Sequence, residues 1–297
     1  MELLTLRTFA AVVDEGGILA ASRKLNTVQS NVTNRIRRLE DELGTELFFR
    51  SGRGVELAPA GRVLLGYARK MLSLERQATN AVRQAGESFG ELRIGAMETF
   101  TALHLPAALR DLRAAHPGLD LRVCTDTSAA LAEKVLSHKL DCAFVAGPVN
   151  HPELAFDELL VEELVQVAAP GIDPSRAPLI LFREGCVYRA RALAWQRTIG
   201  HPLSDAMEFG TLEGILGCVS VGLGWTLMPR RVVEQSAHAA QLQVGKVPDE
   251  IAHVPTGMVR PQDRPPMRVL QALAEAVAAA GRRSVRQAPD KEKAINP

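Results

Sequence analysis

The sequence predicts a multidomain α+β protein: a mainly helical N-terminal unit, one long helix, and a larger C-terminal α/β unit. Three observations carry that prediction. Up to Gly44, three short runs place apolar residues three and four apart. From Pro59 the same spacing continues unbroken to about Gln84. Beyond Glu91, short apolar runs alternate with helical segments, the pattern of strand–helix units. The length, 297 residues, allows two or three folding units, and 46% hydrophobic with 23% charged residues is ordinary for a folded globular chain. No apolar run reaches the ~18 residues of a membrane span. The start, MELLTLRTFAAVVDEGG, lacks the basic region of a secretory signal. Four cysteines without CxxC spacing fit a reducing cytoplasm, where the chain is expected.

The first helix is expected over LLTLRTFAAVVD, residues 3–14, closed by Gly16-Gly17. A short second helix, ILAASRKL, has small residues that let a neighbour approach closely. The third, in VQSNVTNRIRRLEDELG, buries Val32, Ile36, Leu39 and Leu43 and ends at Gly44. Its other face holds Gln29, Ser30, Thr33, Asn34, Arg37 and Arg38. Between Ala20 and Leu39 there are five basic residues and no acidic one. Hydrogen-bonding side chains at the tip and guanidinium groups behind it suit a helix in the DNA major groove, the first reading base edges and the second holding phosphates. A solvated face of any small bundle has the same periodicity. Arg35 either joins the phosphate contacts or lies toward the bundle. The following ELFFRSGRGVELAPAG suggests a two-stranded wing with Arg50 and Arg53 beside the groove, and with Phe48 and Phe49 in the core.

These segments resemble the LysR-type transcriptional regulators. The carrying motifs are L-x-x-F-x-A-V-V-D-E-G-G, A-A-S-R-K-L-N, V-Q-S-N-V-T-N-R-I-R-R-L-E-D-E-L-G and E-L-F-F-R-S-G-R-G-V-E-L-A-P-A-G, covering residues 1–61. The family pattern has Ser or Thr where Val28 stands, which leaves Thr27 to cap the third helix. It commonly has Ala at Asn31, which either adds a DNA contact or is simply exposed. The resemblance implies a winged helix–turn–helix over 1–61, a linker helix and hinge over 62–90, and an effector-binding domain over 91–285. The remaining segment, 286–297, is charged, apolar-poor and expected to be disordered.

In the linker, Leu64, Tyr67, Met71, Leu74, Ala78 and Ala81 form a heptad seam on a helix of roughly 42 Å. The resemblance implies that a second linker helix covers it, giving a homodimer that assembles to a homotetramer. Two recognition helices would then meet the two halves of an interrupted palindrome in double-stranded promoter DNA. RNA polymerase is a further partner this implies; no membrane is expected.

The C-terminal domain is implied to have the type 2 periplasmic-binding-protein fold. Its first lobe is expected over about 91–162 plus a returning helix at 266–281, its second over about 163–265, with mainly parallel sheets. Ligands collect at the carboxyl ends of strands, beside helix N-termini. Candidate residues at such places are Glu98, Thr99 and Thr101 after LRIGA, Thr127 and Ser128 after LRVCT, and Gly147 after CAFVA. In the second lobe they are Cys186, Tyr188 and Arg189 in FREGCVYR, then Thr211 and Thr226 around GILGCVSVGLG. Helix N-termini and hydroxyls favour an anion, with Arg189 placed to pair a carboxylate; each hydroxyl equally suits helix capping. A branch of the family tied to small amino acids and amines has G-C-S-Y-R where this chain has G-C-V-Y-R, with Val187 replacing Ser.

No histidines stand three or four apart, and GxxxxGK[ST], GxGxxG and GxSxG are missing, so no metal, cofactor or catalytic role is expected. Cys186, at a helix N-terminus where a thiol pKa can fall, admits a redox-responsive regulator as an alternative. A small-molecule binding protein without a regulatory role is the other. The expectation is a DNA-binding regulator modulated by a small carboxylate, amino acid or amine-related effector.

Overall fold

In a computed structural model, residues 1–50, 55–85, 90–198, 206–263 and 268–286 are described. The chain divides into two compact units at Gly90/Glu91. In the first, α1 (Leu3–Asp14), α2 (Ile18–Lys24) and α3 (Gln29–Leu43) surround a core of Leu6, Phe9, Val12, Ala21, Val32, Ile36 and Leu39. The stripe expected on α3 is buried as far as Leu39, whereas Leu43 in the last turn is exposed. Gly44 closes the helix with φ +66°, a conformation that costs glycine least.

Strands β1 (Phe48–Arg50) and β2 (Val55–Leu57) pair antiparallel, with Phe48 opposite Leu57. Leu47 is buried and Phe48 packs on Phe9, ring centroids 5.3 Å apart. Phe49 was expected in the core and is 47% exposed: adjacent strand residues point to opposite faces, so only one of the two can face inward. Arg53 and the rest of 51–54 lie outside the described residues.

Helix α4 (Pro59–Ala85) has 27 residues. It does not begin a separate body at residue 62. Leu64, Leu65, Met71 and Leu72 pack against the core of α1–α3. Gly61 makes this approach feasible, because a Cβ there would lie 2.2 Å from the Leu47 carbonyl oxygen.

The second unit opens with strand β3 (Glu91–Ala96), helices α5 (Glu98–Leu103) and α6 (Leu105–Ala115), strand β4 (Asp120–Thr125), helix α7 (Ser128–Leu136) and strand β5 (Cys142–Ala146). β3 pairs parallel with both β4 and β5. The 15-residue strand β6 (Leu154–Ala168) comes next, then β7 (Ile180–Phe182), α8 (Val187–Thr198), β8 (Met207–Phe209), α9 (Leu212–Ser220) and β9 (Trp225–Pro229). After α10 (Arg230–Gln235), β10 (Gln243–Gly245) and α11 (Asp249–Ala252), strand β11 (His253–Pro261) leads to α12 (Arg268–Arg286), which packs on α6.

Two strands join the lobes. β6 pairs with β11 along residues 154–163 and with β9 and β10 along 164–168. β11 shifts register between Thr256 and Gly257, where it also pairs with β5. The sheet expected to be mainly parallel is therefore mixed, because the long β6 runs antiparallel to β11, β9 and β10 beside the parallel β3, β4 and β5. β6 changes partners between Glu163 and Leu164, beside the boundary expected at 162/163, whereas β11, expected in the second lobe up to 265, pairs with β5 and the first-lobe part of β6. Helix α9 ends at Ser220, ahead of Gly222 at φ +82°, and α12 runs on to Arg286, five residues past the expected end. The segment 287–297, expected to be disordered, lies outside the described residues.

Around the first lobe's sheet, Phe100 and Phe144 stack at 4.6 Å. The second lobe buries Val165, Val167, Ile215, Leu216 and Met228 on one side of its strands, and Leu179, Leu181, Trp225 and Leu227 on the other.

Candidate functional site

With Val32, Ile36 and Leu39 buried, α3 necessarily turns Gln29, Ser30, Asn31, Asn34, Arg37 and Arg38 to the exterior, and all six are exposed. Gln29, Ser30 and Asn31 occupy the first turn. Val28 at the N-cap offers no side-chain hydrogen bond. Thr27 does not replace it as a backbone cap; its hydroxyl accepts from Asn31 Nδ2 at 3.1 Å. Asn31 is thereby tied to the helix entry. Thr33 is half-buried and donates to the Gln29 carbonyl at 3.0 Å, so its hydroxyl proton serves the helix. Arg35 turns inward and donates to the buried Thr8 hydroxyl at 3.3 Å, which sets it apart from Arg37 and Arg38.

On α4 the expected seam divides. Leu64 and Met71 serve the core of their own unit. Tyr67 and Leu74 are 62% and 65% exposed, and Ala78 is exposed. Val63 and Val82 widen this unpartnered apolar stripe. The Ala81 side chain lies outside what is described.

In the second unit, one cleft gathers residues from both lobes. The first lobe contributes Met97, Glu98, Thr99, Thr125, Asp126, Thr127 and Ser128; the second contributes Phe182, Arg183, Cys186, Tyr188 and Gly210. The space is about 470 Å³, continuous with solvent. Six of the eleven residues expected from sequence meet here: Glu98, Thr99, Thr127, Ser128, Cys186 and Tyr188. The other five serve elsewhere. Thr101 donates to the Met97 carbonyl at 2.9 Å within its helix. Gly147 is buried with Phe156 against it. Thr211 caps α9 by accepting from the Gly214 amide at 3.2 Å. Thr226 is buried in β9. Arg189 does not line the cleft; it is held by Glu208 and the Phe182 carbonyl, each at 2.9 Å.

Asp126 and Arg183 were missed. Both stand just beyond strand ends, at β4 and β7, and only the packing shows that they meet, Arg183 Nη2 lying 2.6 Å from Asp126 Oδ1. Lys134 takes Asp126 Oδ2 at 2.7 Å, and the Thr127 amide donates to Oδ1. Burial alone would raise this carboxyl's pKa, but the Lys134 and Thr127 hydrogen bonds and the Lys134 and Arg183 charges outweigh it, and the net direction is down. A second link spans the lobes where Glu98 Oε1 accepts from the Leu212 amide at 2.8 Å.

Behind the cleft wall lies a buried polar chain. Thr99 and Tyr188 hydroxyls are 3.4 Å apart, Tyr188 bonds to Glu162 Oε2, and Thr256 donates to the same oxygen at 3.1 Å. Glu162 is 6% exposed and its Oε1 has no hydrogen-bond partner. Burial pushes its carboxyl upward against the hydrogen bonds from Tyr188 and Thr256. Tyr188 is itself held well above the usual phenol range by burial and by Glu162, so it stays a neutral phenol. Cys186 departs from expectation: burial raises its thiol pKa, outweighing the Arg189 and Tyr188 backbone hydrogen bonds. A raised pKa disfavours the thiolate on which redox sensing depends.

Comparison with known proteins agrees with both halves. Residues 3–62 match the bacterial regulatory helix-turn-helix protein family, lysR type, and residues 85–282 match the LysR substrate binding domain. The regulator GltR of Bacillus subtilis is 36% identical over 270 residues, 89% of this chain and 91% of that one. The regulator SoxR of an Arthrobacter species is 36% identical over 281 residues, 93% and 96% of the respective chains. Among solved structures, a full-length OxyR variant from Pseudomonas aeruginosa aligns with a TM-score of 0.70 at 23% identity, covering 93% of this chain and 94% of that one. Full-length CbnR bound to its target DNA aligns at 0.64 and 22% identity, covering 94% and 100%. At these identities the structures speak to the fold, and the fold, the two matched domains and the curated relatives agree: the chain belongs to the LysR family of DNA-binding transcriptional regulators.

Proposed function

We propose that this regulator recognises an interrupted palindrome in promoter DNA, and that a small metabolite held between the two lobes of its effector domain sets its occupancy there. The observation that carries the reading is the convergence of Thr99, Thr127 and Ser128 from one lobe with Cys186 and Tyr188 from the other on one solvent-connected space. Such concave sites at lobe boundaries are where small ligands bind. On α3, Gln29, Ser30 and Asn34 read base edges while Arg37 and Arg38 hold phosphates. Arg35, directed at Thr8, supports the bundle instead. The stripe of Tyr67, Leu74 and Ala78 on α4 meets a second copy, so that two α3 helices address two half-sites.

Binding a ligand between lobes favours one arrangement of subunits over another, and promoter occupancy changes by that differential affinity. Working on the nucleoid places the protein in the cytoplasm. The test is fluorescence anisotropy of promoter fragments adjoining its own gene, with and without candidate metabolites. Binding that neither prefers such fragments over random DNA nor responds to any metabolite that raises the protein's Tm would sink the proposal.

A further inference from the structure

The charged groups around the cleft are unevenly matched. Among the described residues Arg183 is the cation in its lining; it is paired with Asp126, which also holds Lys134, so the three together keep one positive charge on that side of the cleft. Arg189, which could have received a carboxylate, is occupied by Glu208 outside the cleft. Two carboxyls remain. Glu98, in the lining, has the neutral Leu212 amide as its partner, and no cation pairs with it among the described residues. Glu162, behind the lining, has two hydroxyls on one oxygen and nothing on the other. Glu98, Thr99 and Tyr188 all line the cleft, and Tyr188 connects Thr99 to Glu162 behind it. With its hydroxyl hydrogen engaged in the bond to Glu162, Tyr188 has lone pairs rather than a donor left for Thr99 and the cleft. Carboxyls withdrawn from water without a cation are costly, and a ligand cation relieves that cost.

We propose that the effector carries a protonated amine, received by Glu98 together with the Tyr188 and Thr99 oxygens, with Glu162 acting through Tyr188 as a positioning residue. This rests on the cleft being the effector site. A carboxylate elsewhere on the same ligand is tolerated beside Arg183; an anion without an amine leaves Glu98 uncompensated and must compete with Asp126 for Arg183, so it binds more weakly.

The experiment uses the full chain with four size-matched probes: pentylammonium, 5-aminopentanoate, pentanoate and pentanol. Thermal shift and calorimetric titration should show the two amines raising Tm, and pentanoate and pentanol leaving it unchanged. Glu98→Gln keeps an oxygen for the Leu212 amide, so the free protein should melt as before while amine affinity falls about tenfold or more. Glu162→Gln keeps an acceptor for Tyr188 and Thr256, and should weaken the amines by a smaller factor without creating pentanoate binding. Stabilisation by pentanoate equal to that by pentylammonium, no stabilisation by either amine, or amine affinity indifferent to Glu98→Gln would each overturn the proposal. Gly210→Trp separates this from the cleft reading itself. Gly210 lines the cleft and a Cβ there meets nothing within 4 Å, so a side chain can be added without displacing the backbone, and an indole is large enough to obstruct the opening. If a probe other than an amine binds as tightly as the amines and Gly210→Trp abolishes that binding, the cleft stands and the amine is wrong. Binding that survives Gly210→Trp removes the cleft.

Discussion

At the scale of single residues, the two kinds of DNA contact proposed for α3 predict different losses. Gln29→Ala should cost about 1–3 kcal/mol on the operator and almost nothing on random DNA, since it removes a base-edge contact. Arg37→Ala should weaken both alike and lower the slope of log affinity against log salt by about 1, because one released counterion is lost. Anisotropy titrations at several salt concentrations read both. His104 supplies a pH prediction in the other unit. Burial, then the Arg231 charge, lowers its pKa from 6.5 to about 4. The folded state resists protonation that the unfolded state accepts, so stability is full above pH 6.5 and is lost as pH falls toward 4, with no further loss below. The ceiling is about 3 kcal/mol for a shift of this size. His104→Gln should flatten Tm against pH across that window; an unchanged slope would show that other groups govern it.

At the scale of elements, Gly61 is where helix and wing depend on each other. Its missing side chain lets α4 start directly against the Leu47 carbonyl. Gly61→Ala must push the two apart and should cost about 1–3 kcal/mol by urea unfolding, with DNA affinity falling in step. A variant as stable as the parent would show that α4 can shift freely. The helices of this unit were legible because each buries one periodic stripe, as Val32, Ile36 and Leu39 do on α3. What escaped was decided by packing across distance. Periodicity could not say which of Phe48 and Phe49 faces inward. Nor could it reveal that β6 pairs antiparallel with β11 in one lobe and with β9 and β10 in the other, since a strand's partners leave no local mark. The short α10 and α11, six and four residues long, offer too few turns for a stripe to show. The cleft was half legible: hydroxyls after β3 and β4 follow from strand-end chemistry, whereas Arg189 and Arg183 differ only in what they meet.

At the scale of the whole molecule, the divided seam of α4 makes a claim about assembly. Leu64 and Met71 are spent on their own unit's core, so the proposed subunit contact on α4 falls to Tyr67, Leu74, Ala78 and their exposed neighbours Val63 and Val82. An exposed row of large apolar residues along one helix is what a partner surface requires, and the proposed assembly rests on it. Because that surface lies apart from the core contacts, it can be disrupted without unfolding the unit. Tyr67→Glu with Leu74→Glu should therefore lower the association state in sedimentation velocity while leaving Tm close to that of an unassociated reference concentration of the parent. The consequence for DNA is steeper than for either half-site alone. Two linked reading heads convert the second contact into an intramolecular event, an advantage of about 10²–10⁴ in affinity that vanishes when the link is cut. The double variant should thus lose most of its affinity for a two-half-site operator and almost none for a single half-site. Equal losses on both fragments would mean that the glutamates had damaged the reading head itself, and an unchanged association state would place the subunit contact somewhere other than this stripe.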